Sequence, residues 1–338
     1  MLTTDTAGPG NLRLPATGSR QAYPAGYEVL FCRKVWGQDF APGLLVSLPG
    51  LIRWADVVHL TGVYSWPTLP ALLTCRLLRK PLIWSPRGSL QRWQGSSRLR
   101  LKAFWERACR AAAPHRVLLH YTSEKEARES RPILPWAKTA VIPNAVEIPE
   151  FAERTDGGGL LRLVYVGRLH PIKGIENLLA ACSLLLQRGE DQWSLTLAGA
   201  GTAAFTQTLE EIVRKTSLSP RVRFAGMVSG EEKRRLFAAA DVLVLPSHTE
   251  NFGMAAAEAL AHGVPVIAGQ GTPWERLVEI GCGLWVPNNP ESLARAIERI
   301  RRMPLEEMGL RGRAWMQKEF SWEERAREMI RCYQEATA

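Results

Sequence analysis

Two short apolar runs, Asp241-Val242-Leu243-Val244-Leu245-Pro246 and Val264-Pro265-Val266-Ile267-Ala268, leave this chain few folds to choose from. Each reads as a strand buried on both faces. Between them lies Ser247-His248-Thr249-Glu250-Asn251-Phe252-Gly253-Met254, which runs into a helical segment ending near Gly263. Strand, turn, helix and strand in that order predict a βαβ unit in a parallel sheet. Glu250 falls at the first strand's carboxyl edge, and Glu258 about two helical turns further along. The amides of Phe252, Gly253 and Met254 are left over at the helix start, where free N–H groups attract phosphate or hydroxyl oxygens. Such acceptors and donors suit a polyhydroxylated ligand that carries phosphate.

The same alternation extends through both halves. In the second half, strands are predicted at 161–166, 194–198, 222–224, 242–245 and 264–268. Helices are predicted at 175–187, 203–216, 230–239, 253–262, 290–301, 305–320 and 322–336. The first half shows strands at 28–32, 57–60, 82–85, 117–120 and 139–142, with an Arg-rich helix over 99–113. A Gly/Pro-rich break, Ile148 to Gly159, separates the halves. The fold class is therefore α/β with two Rossmann-like domains. The expected boundaries are 1–150, 151–320 and a C-terminal helix, 321–338, that returns to the first domain.

A chain of 338 residues, 46% hydrophobic, suits two packed domains. No apolar run reaches membrane-spanning length. Six dispersed cysteines without C-x-x-C suggest buried thiols in a reducing cytoplasm, and the scattered histidines suggest no metal cluster. The net charge of +10 sits entirely in residues 1–150, with 20 Lys/Arg against 10 Asp/Glu. Arg76–Arg116 holds 11 basic residues and a single acid, Glu106, interleaved with Trp84, Trp93, Phe104 and Trp105. This pattern predicts either peripheral attachment to an anionic membrane surface or a solvated helix face; no nucleic-acid module is visible.

Three motifs carry a family resemblance: Val166-Gly167-Arg168-Leu169-His170-Pro171-Ile172-Lys173-Gly174, then Leu197-Ala198-Gly199-Ala200-Gly201, then Glu250-Asn251-Phe252-Gly253 with Glu258 and Ala259–Ile267. In this order and spacing the chain resembles the retaining glycosyltransferases of family 4, which have two Rossmann-like domains facing across a cleft (GT-B). Thr272-Pro273-Trp274 with Gly281-Cys282-Gly283 is similar to the subgroup that builds exopolysaccharide or lipopolysaccharide. The resemblance implies a nucleotide-diphosphate sugar as donor and no further cofactor. It implies donor binding by Gly167, Arg168, Lys173, Gly199, Glu250, Asn251, Phe252, Gly253, Met254 and Glu258. Arg168, bidentate, and Lys173, a point charge, would neutralise the diphosphate without a metal. Glu258 would hold the ribose hydroxyls. Catalysis falls to Glu250, Arg168, Lys173 and Arg87.

On the acceptor side the resemblance places His59, Arg87 and Gly88. A lone histidine at a strand end is more often a satisfied structural residue. Arg87 stands where many family members carry a His before Gly, and Arg cannot act as a base. Tyr121–Glu126 is similar to the family's helix start, with Ser123 as N-cap and Glu126 at the capping-box position. Pro143-Asn144-Ala145-Val146 is similar to a family turn. Family members begin with a strand, a Gly-rich loop and a helix; Met1–Asp5 reads as a strand already under way, so an N-terminal domain lacking its first βα unit is expected.

The resemblance thus implies a hexosyltransferase on the inner face of the cytoplasmic membrane, acting on a lipid-linked or saccharide acceptor. Retention would proceed by same-face attack, with the departing phosphate taking the acceptor's proton. A non-catalytic sugar-nucleotide-binding subunit of a polysaccharide assembly is the alternative, motivated by Arg87 and the short N-terminus.

Overall fold

The computed structural model describes residues 1–7, 12–13, 20–37, 40–92, 95–150 and 158–338. Trp93 and most of the expected linker lie outside the described residues. The chain divides into two compact units, 1–92 with 96–142 and 327–338, and 93–95 with 143–326.

The first unit opens with β1 (Leu2–Thr4), the short pair β2 (Thr6–Ala7) and β3 (Leu12–Arg13), β4 (Arg20–Tyr23) and β5 (Tyr27–Cys32). It continues through α1 (Pro42–Trp54), β6 (Val58–Thr61), α2 (Thr68–Leu77), β7 (Leu82–Ser85), α3 (Leu99–Ala112), β8 (Val117–Tyr121), α4 (Glu124–Ser130) and β9 (Lys138–Val141). Strands β6-β7-β8-β9 form a parallel sheet in that order. A second sheet has the order β1-β5-β4, with β1 parallel and β4 antiparallel to β5. Residues 2–4 are thus the strand the sequence suggested, paired from Leu2 against Leu30 to Thr4 against Cys32.

Sequence periodicity did not reveal α1 and α2. Pro49 sits inside α1 and Pro70 in the first turn of α2, and proline disguises helical periodicity. Ser123 caps α4 as expected, its hydroxyl accepting from the Glu126 amide at 3.1 Å.

The second unit runs β10 (Leu161–Val166), α5 (Ile175–Gln187), β11 (Trp193–Ala198), α6 (Ala203–Lys215), β12 (Val222–Gly226), α7 (Gly230–Ala238), β13 (Val242–Leu245), α8 (Met254–Ala261), β14 (Val266–Gly269), α9 (Leu277–Ile280), β15 (Gly283–Val286), α10 (Pro290–Ile300) and α11 (Leu305–Glu319). The chain then enters α12 (Trp322–Thr337). All six strands are parallel in the order β12-β11-β10-β13-β14-β15. Numbered within the unit this is 3-2-1-4-5-6, the doubly wound Rossmann order. The sixth strand, Gly-Leu-Trp-Val, was not anticipated, and β14 begins at Val266 rather than Val264 because Pro265 has no N–H to give a ladder.

Strand side chains alternate between two cores. Leu163, Tyr165 and Val244 pack with Ile175, Leu178, Leu179 and Leu185 of α5 on one face. Val164, Leu243 and Leu245 pack with α8 and the Trp274–Trp315–Phe320 ring cluster on the other. Each fully buried leucine contributes about 1.5–3 kcal/mol relative to exposure. Side-chain caps fix two helix starts: Thr202 accepts from Phe205 N at 3.3 Å, and Asn289 from Ser292 N at 2.9 Å, with Pro290 following.

Two apolar clusters pack within each unit, and all six cysteines are buried free thiols. Cys182, Cys282 and Cys332 belong to three different clusters, and Cys32, Cys75 and Cys109 to the fourth. Trp84, expected in a basic surface patch, is instead fully buried and donates its indole N–H to Gly62 O at 2.7 Å. Trp105 is half-buried and donates to Val63 O at 2.8 Å, whereas Phe104 is exposed. No helix among the described residues is long and apolar enough to cross a membrane.

Candidate functional site

In a doubly wound sheet the strand order reverses between the first and fourth strands, and the connections there leave on opposite faces. A crevice opens at their carboxyl ends. Here those strands are β10 and β13, and a pocket of about 310 Å³ lies at that point. Tyr165, Val166 and Gly167 reach it from β10, and Leu245 from β13. The β13–α8 turn supplies Glu250, Asn251, Phe252 and Gly253, and the helix itself Met254 and Glu258. Lys173 enters from the loop after β10.

Gly253 caps α8 with φ +87°, a left-handed conformation that costs a side-chain-bearing residue about 1–2 kcal/mol. Among the described residues, the amides of Phe252, Gly253 and Met254 donate to no protein acceptor. They form an open set of donors at the helix start. Glu250 is buried and accepts from the Lys173 ammonium and from Ser247 Oγ, the latter at 3.0 Å. Glu258 pairs with Lys233 of α7 at 2.7 Å. One cation and one carboxylate thus adjoin at each end of the pocket's acidic pair. Among the described residues no three His, Cys, Asp or Glu side chains are grouped to hold a metal ion.

Gly199, expected at the donor site, is not among the pocket-lining residues but abuts Gly167, which is. A Cβ there would stand 1.7 Å from Gly167 O, so glycine lets the β11 end approach the Gly167 loop. Its amide donates to Gly226 O at 2.6 Å. The Arg168 side chain is exposed and is not among the pocket-lining residues, while its carbonyl accepts from Tyr165 Oη at 2.8 Å. Tyr165 is a core-facing strand residue and Lys233 carries no motif, so the sequence points to neither; Asn144 and Ser247 lie in segments the sequence marks, without a role of their own there.

The remaining predicted residues lie in the first unit. His59 Nε2 is 2.7 Å from Ser85 Oγ, Ser85 Oγ is 2.7 Å from His120 Nδ1, and His120 Nε2 is 2.9 Å from Ile142 O. A carbonyl only accepts, so His120 carries its proton on Nε2. Ser85 then donates to His120 Nδ1 and accepts from His59 Nε2–H, and Tyr333 Oη donates to His59 Nδ1 at 2.7 Å. Burial, with His120 and the Arg87 guanidinium nearby, pushes His59 down to about 4, so it is neutral at neutral pH. Both ring nitrogens of His59 are engaged within the protein.

Arg87 and Gly88 form a turn with φ +54° and +76°. The fully buried Glu126 carboxylate holds that turn, accepting from the Gly88 amide. Its other oxygen accepts from Thr122 N at 2.8 Å and Thr122 Oγ1 at 2.7 Å. The expected capping-box glutamate is therefore a clamp between the β7 exit and the start of α4.

Residues 161–302 match the family described as Glycosyl transferases group 1. An uncharacterized glycosyltransferase of Methanocaldococcus jannaschii is 33% identical over 51% of this chain, which spans only 44% of that relative's length. A GDP-mannose:cellobiosyl-diphosphopolyprenol alpha-mannosyltransferase of Xanthomonas oryzae is 28% identical over 78% of this chain and 68% of its own. Among solved structures, sucrose-phosphate synthase from Thermosynechococcus elongatus shares the fold, with a TM-score of 0.76 at 23% identity over 99% of this chain and 88% of that one. Residues 161–302 are thus a glycosyl transferases group 1 domain, carried in an α/β fold of the GT-B type.

Proposed function

We propose that this chain is a retaining hexosyltransferase that takes its sugar from a nucleoside-diphosphate donor held in the second unit. The observation that carries this reading is the pocket at the β10/β13 switch point. It combines a Lys173–Glu250 pair, three unspent amides and Glu258. Lys173 and the amides meet the diphosphate, where charge builds as the glycosyl bond breaks. Glu250 and Glu258 accept from sugar and ribose hydroxyls. The acceptor hydroxyl attacks the anomeric carbon as the phosphate departs, and that phosphate takes the hydroxyl proton. Arg168, exposed at the pocket's loop, supplies a second cation when the donor is bound.

The acceptor is a lipid-linked saccharide or a growing polysaccharide, and the protein works as a peripheral protein on an anionic, cytoplasm-facing membrane surface. The named acceptor of the Xanthomonas relative, a diphosphopolyprenol, supports this, as does the excess positive charge of the first unit.

A thermal-shift screen against UDP, GDP and their sugars tests the donor site, because a ligand of the native state raises Tm by mass action, about 2.7 kcal/mol at a hundredfold excess over Kd. Lys173→Ala and Glu250→Ala are expected to lose the shift and the transfer activity together. Normal turnover in Arg168→Ala, Lys173→Ala and Glu250→Ala would end the assignment; binding without turnover in the unmodified protein would favour a non-catalytic subunit.

A further inference from the structure

A second pocket, open and about 520 Å³ in volume, lies in the first unit where α2 ends beside the end of α3. Its polar lining is Arg76 from α2, Arg107 and Arg110 from α3, and His115 and Trp136 from the following loops. Arg76 is anchored by donating to Ala111 O, and the Arg110 guanidinium lies 5.2 Å above the Trp136 ring. Stacking on an aromatic face fixes an arginine while leaving its edge N–H groups available. Among the described residues none of the three guanidiniums is ion-paired. Glu106, the single acid between Arg76 and Arg116, is engaged by Arg92 and Tyr64. Three arginines thus face one opening with their charge uncompensated.

The surroundings are apolar and exposed. Leu77 next to Arg76 is 80% exposed, and Phe104, one helical turn before Arg107, is 68% exposed. Leu73 lies one turn before Leu77 on the same face of α2. Exposed apolar side chains on the same two helices as a cationic pocket fit a ligand whose anionic group is attached to a hydrocarbon phase.

We propose that this pocket binds the phosphate group of an anionic membrane lipid and seats the α2–α3 face on the bilayer. The guanidiniums take the phosphate oxygens, while Leu77 and Phe104 enter the interface. The proposal deepens the membrane side of the function above and rests on it.

Flotation with phosphatidylcholine vesicles, with and without phosphatidylglycerol, tests it. The full chain is compared with Arg107→Gln/Arg110→Gln and with Arg214→Gln/Lys215→Gln, which removes equal charge from the second unit. All four residues are exposed, and unchanged thermal unfolding would show that both variants fold. The full chain is expected to float only with phosphatidylglycerol. The pocket variant should bind roughly 25-fold more weakly, at about fivefold per charge lost near an anionic surface, with the control within about twofold. Equal loss in both variants would overturn the pocket while leaving membrane attachment standing. No flotation of the full chain would overturn both. Release by millimolar-range glycerol 3-phosphate would show a site for soluble phosphate and overturn the lipid assignment.

Discussion

Tyr333 of the C-terminal helix donates its hydroxyl to Nδ1 of His59 at 2.7 Å, and with that bond a four-membered chain of fixed donors runs to Ile142 O. Met329, Tyr333 and Ala336 pack against Ile83, Leu118 and Ile142 around the same contact. The helix end is therefore held by a small apolar cluster and by directional polar contacts that include Arg116 Nη2 donating to Ala336 O at 3.4 Å.

Tyr333→Phe keeps the packing and deletes the donor. The half-buried His59 Nδ1 is left without its partner, which costs about 1–2 kcal/mol. A lower urea midpoint with an unchanged m-value is the expected result; an unchanged midpoint would show that the hydroxyl contributes nothing.

Acid should weaken the same region. His59 ordinarily titrates near 6.5 and is pushed down to about 4 by burial, His120 and Arg87. The unfolded chain therefore binds the proton first. The stability of the neutral ring is complete above 6.5 and is lost as pH falls toward 4, with a slope of up to about 1.4 kcal/mol per pH unit. His120 is shifted in the same direction, again chiefly by burial. Urea unfolding across this interval should show a steeper loss in the native chain than in His59→Gln. Parallel profiles would contradict the assignment.

Gly199→Ala should be among the costliest small substitutions in the second unit. Its methyl would meet Gly167 O at 1.7 Å, and both partners are backbone, so the strands must separate. A loss of about 3 kcal/mol is expected, together with weaker nucleotide binding because Gly167 lines the pocket. Native stability with native affinity would show that the loops give way freely.

Arg79→Gly should stabilise the protein. Arg79 is exposed and has φ +54° just after α2, where Lys80 N returns to Cys75 O at 2.9 Å. This is the left-handed helix ending that glycine adopts without strain. Relief of strain, less the extra chain entropy of glycine, gives roughly 0.5–1 kcal/mol, measurable as a higher Tm.

Much of the second unit was legible because its strands are continuous apolar runs between helices with explicit caps. Val242–Leu245 is buried throughout, and Asn289-Pro290 announces α10. Gly283–Val286 escaped because a four-residue strand that opens on glycine carries no pattern, and α1 escaped because Pro49 interrupts it. Motif spacing pointed to Gly167, Lys173, Glu250 and Glu258, which share one pocket. Spacing cannot show that Lys233 reaches Glu258 from α7, or that Glu126 turns toward Gly88, because those contacts depend on how helices pack. Nor does an aromatic residue in a basic stretch reveal its side: Trp84 faces the core and Phe104 the solvent.

The distribution of cysteines makes the protein its own reporter of breathing motions. Every apolar cluster contains at least one buried thiol, and burial raises Cys75 to about 11 and Cys109 and Cys282 to about 12. Alkylation must then wait for each core to open. Peptide-resolved labelling of the unaltered chain would time the opening of the four cores separately, without an introduced probe.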